Sequence, residues 1–443
     1  MKLAAPKNPN YCATVVALDK FVTLPNCDNV KGAIVQGNHI IVGKECQPGD
    51  IGLYFPLECQ LSHEFVSHNN LYRKAEWGNV DPLARGGFFE QSRRVKAVKF
   101  RGHKSEGFWI PQDALSYLNI GELPLGSEFD TLGDHEICRK YVPAHNPAST
   151  RDKQGRKAPR IEDRIVDGQF HFHVDTEQLR KNVHRINPWD IISITDKWHG
   201  TSAVYANVLC KRPLSWFEKL LKLVGVRIQD TCYEYIWSSR RVVKGIAQEE
   251  RHTAVHFYPS DIWGIVGKEV FPVLPKGVTV YGEIVGYTPE GSPIQPGYHY
   301  GCEKGSHLFI VYRITHTDTD GQVTEYSWPQ IKEACEKWGL HTVVEHYYGK
   351  ASKFCTTKPG LIQDWQSDFL QDVEKEYLGD LPCIFNNNEV PAEGVVVKAD
   401  KLYSCEPFKI KNFAFLKYES DQLDKGTVDI ETAESDPQDI KEL

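Results

Sequence analysis

Residues 142–166 read VPAHNPASTRDKQGRKAPRIEDRIV, and this stretch more than any other limits how the chain can fold. Pro, Ala, Ser, Thr and charged residues bury little surface, so the segment reads as an interdomain linker. Its basic cluster, Arg151, Lys153, Arg156, Lys157 and Arg160, fits a solvated connection. A chain divided there has a leading module, residues 1–141, and a larger body, residues 167–418. Residues 419–443 have a third character, with nine acidic and two basic side chains, and read as a disordered acidic tail. That tail accounts for the net charge of −7, leaving fifty basic and fifty acidic residues on the rest. The acidity of the whole chain therefore does not exclude a nucleic-acid partner.

In the leading module short strands are expected at Ala13–Leu18, Lys31–Val35, His39–Val42 and Gly52–Phe55, with Pro48-Gly49-Asp50 as a turn. The run Arg93–Phe100, RRVKAVKF, alternates Val95, Ala97 and Lys99 against Arg94, Lys96, Val98 and Phe100. Continued through Arg101, His103 and Lys104 to Phe108 and Trp109, it interleaves basic and aromatic residues. Such a mix suits phosphates and stacked bases on a small OB-like β-barrel. An edge strand with solubilising lysines fits it as well. The twelve cysteines are dispersed without Cys-x-x-Cys, which speaks against thiolate zinc sites and for a reducing compartment. With no apolar leader and no eighteen-residue apolar run, the expectation is a cytoplasmic or otherwise intracellular protein.

The body mixes helices and strands without a repeating βαβ unit, an α+β pattern. Asp175 is placed as the N-cap of a helix through Asn182, followed by a strand from Asp190 to Thr195. Further strands are expected up to Trp237, at Val278–Val285, Leu308–Ile314, Gly394–Ala399 and Phe408–Asn412. Helices are expected at Ser260–Val270, Pro329–Trp338 and Asp364–Tyr377, with an apolar-periodic stretch at Leu214–Leu223. In that stretch Trp216, Leu220, Leu223 and Val224 form one apolar face, read as core or domain packing rather than a membrane anchor. His171 and His173 alternate in FHFHV without a third metal ligand nearby, and read as surface histidines.

The chemistry concentrates in six segments in order: SITDKWHGTSAVY around Lys197, WSSRRVVKG from Trp237, VYGEIVG from Val280, FIVYRI from Phe309, AEGVVVK from Ala392 and FKIKN from Phe408. This ordered set resembles the collinear motifs of the covalent nucleotidyltransferases, in particular the ATP-dependent RNA ligases with an OB-like module ahead of the ligase domain. The N-terminal GDIGLYFP and RGHKSEGFW are similar to that module. The resemblance implies a nucleotidyltransferase domain of ATP-grasp-like antiparallel sheets with helices, preceded by the small OB-like β-barrel. It implies Lys197 as the nucleophile that takes AMP, with Trp198, His199 and Gly200 beside it. His199 departs from the Asp that many ligases carry there. Ser239 and Arg240 match the element that holds ribose or substrate phosphate, with Arg241 an alternative guanidinium. Glu283 matches a ribose-binding carboxylate. Phe309 or Tyr312 stacks on adenine, and alternation does not choose between them. Glu393 matches the carboxylate near the metal and its waters. Lys398 is a further basic residue, and Lys409 and Lys411 match the pair on the ATP phosphates.

The reaction itself asks for these residue types. A lysine of pKa about 10.4 attacks phosphorus only as the free amine; bringing it to about 7.5 is roughly three units, on the order of 4 kcal/mol. Neighbouring cations supply that shift and also stabilise the transferring phosphate. On this reading Glu283 and Glu393 leave those cations un-neutralised, and Mg²⁺ or Mn²⁺ is held through water. Strand alternation puts Lys409 and Lys411 on one face, opposite Phe408 and Ile410. The resulting expectation is an RNA ligase using ATP to seal 3′-hydroxyl to 5′-phosphate breaks, at nicks in duplex nucleic acid. Its partner is RNA or an RNA-containing duplex, with no membrane, and the protein is a monomer. Arg93, Arg94, Lys96, Arg101 and Lys104 are the expected nucleic-acid contacts. The rivals are an RNA capping guanylyltransferase and a non-catalytic nucleic-acid-binding protein derived from a ligase.

Overall fold

The computed structural model describes residues 3–142, 161–247, 258–355, 362–379 and 381–426. It divides into two compact units. The first comprises the described residues of 1–143, 180–183 and 413–427, and the second those of 144–179 and 184–412.

In the first unit, strands Ala13–Ala17, Ile51–Pro56, Gly107–Pro111 and Glu128–Phe129 form a four-stranded antiparallel sheet. Ile51–Pro56 is buried on both faces. Leu53 and Phe55 point into one cluster with Val15, Phe65 and Phe129, while Tyr54 points into a second with Trp109, Ile40 and Val42. Gly52 is required there, because a Cβ would lie 2.3 Å from the Ile110 carbonyl oxygen. Lys20–Val22, Val30–Val35 and Asn38–Gly43 form a separate three-stranded sheet. The described strands of this unit make several small sheets and no closed barrel.

The expected strand Arg93–Phe100 is regular only from Val98 to Phe100. Arg93 takes a left-handed backbone, φ 53°, and Arg94 makes an isolated bridge to Gln60, so the alternation is broken at its start. Arg94 is 3 % exposed as a result. Its guanidinium donates to Glu58 and Asp424 and to the Ser420 carbonyl, while Lys96 pairs with Glu90 and Asp424. Asp424 and Ser420 belong to the helix Phe413–Asp424, so the first residues of the expected acidic tail are helical and pack within this unit. Residues 427–443 of that tail, and 143–160 of the expected linker, lie outside the described residues.

The second unit carries two sheets. The smaller has the order Glu177–Gln178, Pro407–Lys411, Gly394–Ala399, Ile191–Lys197, Glu345–Lys350. The larger runs Val243–Ile246, Thr231–Ser238, Thr201–Lys211, Val278–Gly286, His307–Thr317, Val323–Glu325, with His341–Thr342 added on His307–Thr317. Nearly all pairings are antiparallel, and the helices Ile262–Val270, Trp328–Trp338 and Ile362–Tyr377 accompany them in a mixed α/β fold. The C-terminal end of the expected linker belongs here: Ile165 bridges to Cys210. Asp175 caps no helix; the chain after it pairs Glu177 and Gln178 with Phe408 and Lys409. The helix Trp216–Leu223 forms as its periodicity predicts, but contains no buried residue, contrary to the core-packing expectation. No helix among the described residues is long and apolar enough to cross a membrane.

Candidate active site

Strand register builds the site. Lys197 lies opposite Gly394, and Gly394 opposite Lys411, so the two lysines flank a residue with no side chain. Gly394 has φ 143°, and a Cβ there would meet the Ile410 carbonyl oxygen at 2.1 Å. The same pairing aligns Thr195, Val396 and Lys409 in the next row, and Ser193 and Lys398 beyond it. Because cross-strand partners share a face, one side of this sheet carries Lys197, Lys398, Lys409 and Lys411. Ile192, Ile194, Val395, Val397, Phe408 and Ile410 are buried on the other.

Four lysines on one face need an anion, and Glu393 supplies it. Its Oε1 is 2.7 Å from Lys197 Nζ and 3.3 Å from Lys411 Nζ. Burial works to raise the Glu393 pKa, but Lys197, Lys411 and His199 outweigh it and hold the carboxyl below the usual carboxylate range. The expectation that Glu393 leaves these cations un-neutralised is corrected: the carboxylate bridges both ammonium groups. Its Oε2 is buried, lies 4.0 Å from His199 Nδ1 and accepts no hydrogen bond among the described residues. Lys398 Nζ is likewise buried without a hydrogen-bond partner among the described residues.

Beyond Lys197 the chain crosses from the smaller sheet to the larger through Trp198, His199 and Gly200. A Cβ on Gly200 would sit 2.4 Å from the Ile284 carbonyl oxygen, so only glycine fits the crossing. The turn is held by residues that the motifs do not include. Tyr300 stacks on Trp198 with ring centroids 4.4 Å apart, and its hydroxyl accepts from the His199 amide at 2.7 Å. Gln295 donates to the Gly200 carbonyl at 2.8 Å, and the Tyr298 ring meets His199 edge-on. Buried Asn386 accepts from the amides of His299 and Tyr300, fixing the loop. The one trace of these residues in the sequence is the dense aromatic loop GYHYG from Gly297 to Gly301.

On the larger sheet Glu283 lies opposite Ser202 and is the one residue of Val278–Gly286 that is not buried. An irregularity after Tyr281 shifts the next register and puts the two aromatic candidates on opposite faces. Phe309 pairs with Ile284 and packs edge-on against Tyr205, inside the core. Tyr312 lies on the Ser202 side: its hydroxyl is 3.4 Å from Ser202 Oγ and 2.8 Å from His173 Nδ1. Ser239 is buried in a turn against the Val242 carbonyl. Arg240 and Arg241 both donate to Asp175. Burial works to raise the Asp175 pKa, but Arg240, Arg241 and His173 bring it below the usual value.

Among the expected nucleic-acid contacts, Arg94 and Lys96 are engaged inside their own unit as described, which removes the buried Arg94 from any such surface. Arg93 donates to the Leu61 carbonyl at 2.9 Å, and Lys104 lies 3.6 Å from Glu106. Arg101 is exposed, with its guanidinium near the Phe100 ring.

A strand-end lysine, a buried glutamate and a lysine-bearing strand next to it, with a second glutamate across the adjoining sheet, define a nucleotidyltransferase core. The RNA ligase family model matches residues 191–414, a little over half of the sequence, and the chain belongs to that family. None of the curated proteins matches it. Solved structures share its fold. One of a Naegleria gruberi RNA ligase mutant with AMP and Mn superposes with a TM-score of 0.56 at 16 % identity, covering 92 % of this chain and 98 % of that one. Another mutant of that ligase, with ATP and Mn, gives 0.56 at 15 % identity, covering 94 % and 100 %. The same ligase with PPi gives 0.55 at 15 %, covering 92 % and 98 %.

Proposed function

We propose that the protein is an ATP-dependent RNA ligase that joins a 3′-hydroxyl to a 5′-phosphate at nicks in duplex nucleic acid, through a lysyl-AMP intermediate. The observation that carries this reading is the Lys197–Glu393–Lys411 cluster at the family's nucleophile position. Lys197 Nζ attacks the α-phosphorus of ATP; the bond to pyrophosphate breaks and a P–N bond to lysine forms. AMP then passes to the 5′-phosphate of RNA, and the 3′-hydroxyl displaces it.

Each step uses the geometry described. Lys197 begins as an ammonium paired with Glu393, so the amine must lose that proton before it attacks. Lys411 beside it, and Lys409 on the same face, hold the phosphates of ATP. Glu283 accepts a ribose hydroxyl, the Tyr312 face stacks on adenine, and Arg240 and Arg241 release Asp175 to bind ribose or phosphate. Glu393 fits a metal centre, because its buried Oε2 accepts no hydrogen bond among the described residues. Glu393 would hold a divalent ion, Mg²⁺ or Mn²⁺, which would supply positive charge beside the transferring phosphate. The first unit acts as the OB-like holder of the nucleic acid, with Arg93, Arg101 and Lys104 as its contacts.

The test is intact and peptide mass spectrometry after incubation with divalent ion and either ATP or GTP. AMP on Lys197, absent from Lys197→Ala, is the expected result. GMP there would turn the assignment to a capping guanylyltransferase, and no adduct with either nucleotide would leave a non-catalytic nucleic-acid-binding protein.

A further inference from the structure

We propose that the helix Trp216–Leu223 is an interfacial element that seats the protein on a lipid surface carrying anionic headgroups. The helix occupies the excursion that joins Thr201–Lys211 to Thr231–Ser238, at the end of that hairpin remote from Gly200. The strand from Thr201 to Lys211 separates it from the candidate active site by roughly 30 Å at about 3.3 Å per residue.

An amphipathic helix ordinarily turns its apolar side inward and its charges outward. Here the arrangement is reversed. Charged residues fasten the helix to its own hairpin: Arg212 Nη2 is 2.6 Å from Glu218 Oε1, and Lys222 Nζ is 2.6 Å from Asp230 Oδ2. Ser215 and Glu218 close a capping box that starts the helix without any help from a core. The apolar side chains point away, with Trp216 78 % and Leu223 85 % exposed, and Phe217, Leu220, Val224 and Val226 exposed beside them. Isolated exposed apolar residues are ordinary, but four on one two-turn helix, with two more directly after it, mark a surface for a partner.

Charge selects the occupant. Residues 211–230 carry five basic and two acidic side chains in a chain of net charge −7. Lys219 and Arg227 are exposed at the edges of the apolar patch. Exposed Trp, Phe and Leu with exposed lysine and arginine in the same segment match the boundary between acyl chains and anionic headgroups. The element lies on a membrane and does not span one, so the absence of a spanning helix does not bear on it.

The test is co-sedimentation of the full-length protein with vesicles of phosphatidylcholine, with and without phosphatidylserine. Binding to the anionic vesicles, weakened by salt, is expected. The triple variant Trp216→Ser, Leu220→Ser, Leu223→Ser should bind about tenfold less or weaker still. The double variant Lys219→Glu, Arg227→Glu should lose the preference for phosphatidylserine. Both variants should keep the wild-type melting temperature and circular dichroism, since the altered side chains are exposed. No binding to either vesicle overturns the proposal. So does a concentration-dependent dimer that the triple variant dissociates, which would assign the face to a second copy of the chain.

Discussion

Lys197 and Glu393 form an ion pair of 2.7 Å in which the lysine side chain is 20 % exposed and the carboxylate almost completely buried. The nucleophile of the proposed reaction is thus stored as a paired ammonium, and its carboxylate partner is shared with Lys411. Removing that carboxylate takes the shared anion from two half-buried ammonium groups. Glu393→Gln is expected to lower lysyl-AMP formation about a hundredfold or more, as loss of a group organising charge at a phosphoryl-transfer site does. Single-turnover labelling with radioactive ATP measures it, and labelling at the wild-type rate would contradict the assignment.

The depressed pKa of Glu393 has a definite sign in the pH dependence of stability. A carboxyl whose folded pKa is lowered contributes stability above its unfolded pKa, about 4.3, and loses it as pH falls through the folded value. Melting of the second unit should therefore drop below about pH 4.3 with a contribution from this pair. In Glu393→Gln that contribution should be missing, flattening the acid limb of a plot of Tm against pH.

Phe309 and Tyr312 should separate stability from nucleotide binding. Phe309→Ala removes a ring packed on Tyr205 and should cost about 3–5 kcal/mol of stability, read by urea unfolding. Tyr312→Ala should leave stability within about 1 kcal/mol while raising the KM for ATP about tenfold, the scale of one stacking contact. The reverse pattern would place adenine on the other face of the sheet.

Arg94 should behave as a structural residue. Arg94→Ala takes a charge-assisted partner from the half-buried Glu58 beside Ser420 and removes a tie to Asp424, so a loss of about 1.5–3 kcal/mol is expected. The check is thermal unfolding of the variant together with its RNA affinity. A weaker affinity at unchanged Tm would restore Arg94 to the nucleic-acid surface.

Gly394→Ala should be severe for a backbone reason. Both the left-handed φ and the 2.1 Å approach to Ile410 oppose a methyl group, so the strand carrying Lys409 and Lys411 must shift. A loss of lysyl-AMP formation with a Tm lowered by several degrees is expected, and a variant with both intact would show that the register can relax.

Most strands and helices of the second unit were legible because their apolar residues recur with period 2 or 3.6, as at Phe408–Asn412 and Trp328–Trp338. The pairing of Lys409 with Lys411 on one face followed from alternation alone. Asp175 was misread because Asp before a polar run has the chemistry of an N-cap, whereas two guanidiniums distant in sequence claim its carboxylate. Arg94 was misread because one left-handed residue at Arg93 resets the alternation, and nothing in RRVKAVKF announces it. Tyr298, Tyr300, Gln295 and Asn386 escaped notice because loop residues that act through single hydrogen bonds have no period.

The three-residue crossing from Lys197 to Thr201 leaves no slack between the two sheets. Gly200 is wedged against the Ile284 carbonyl and tethered by Gln295, so it works as a fulcrum, with the nucleophile at the end of one arm and Ser202 facing Glu283 on the other. Any substitution that displaces Gly200 is therefore expected to disturb both arms at once, the Lys197–Glu393 pair on one sheet and the Ser202–Glu283 row on the other.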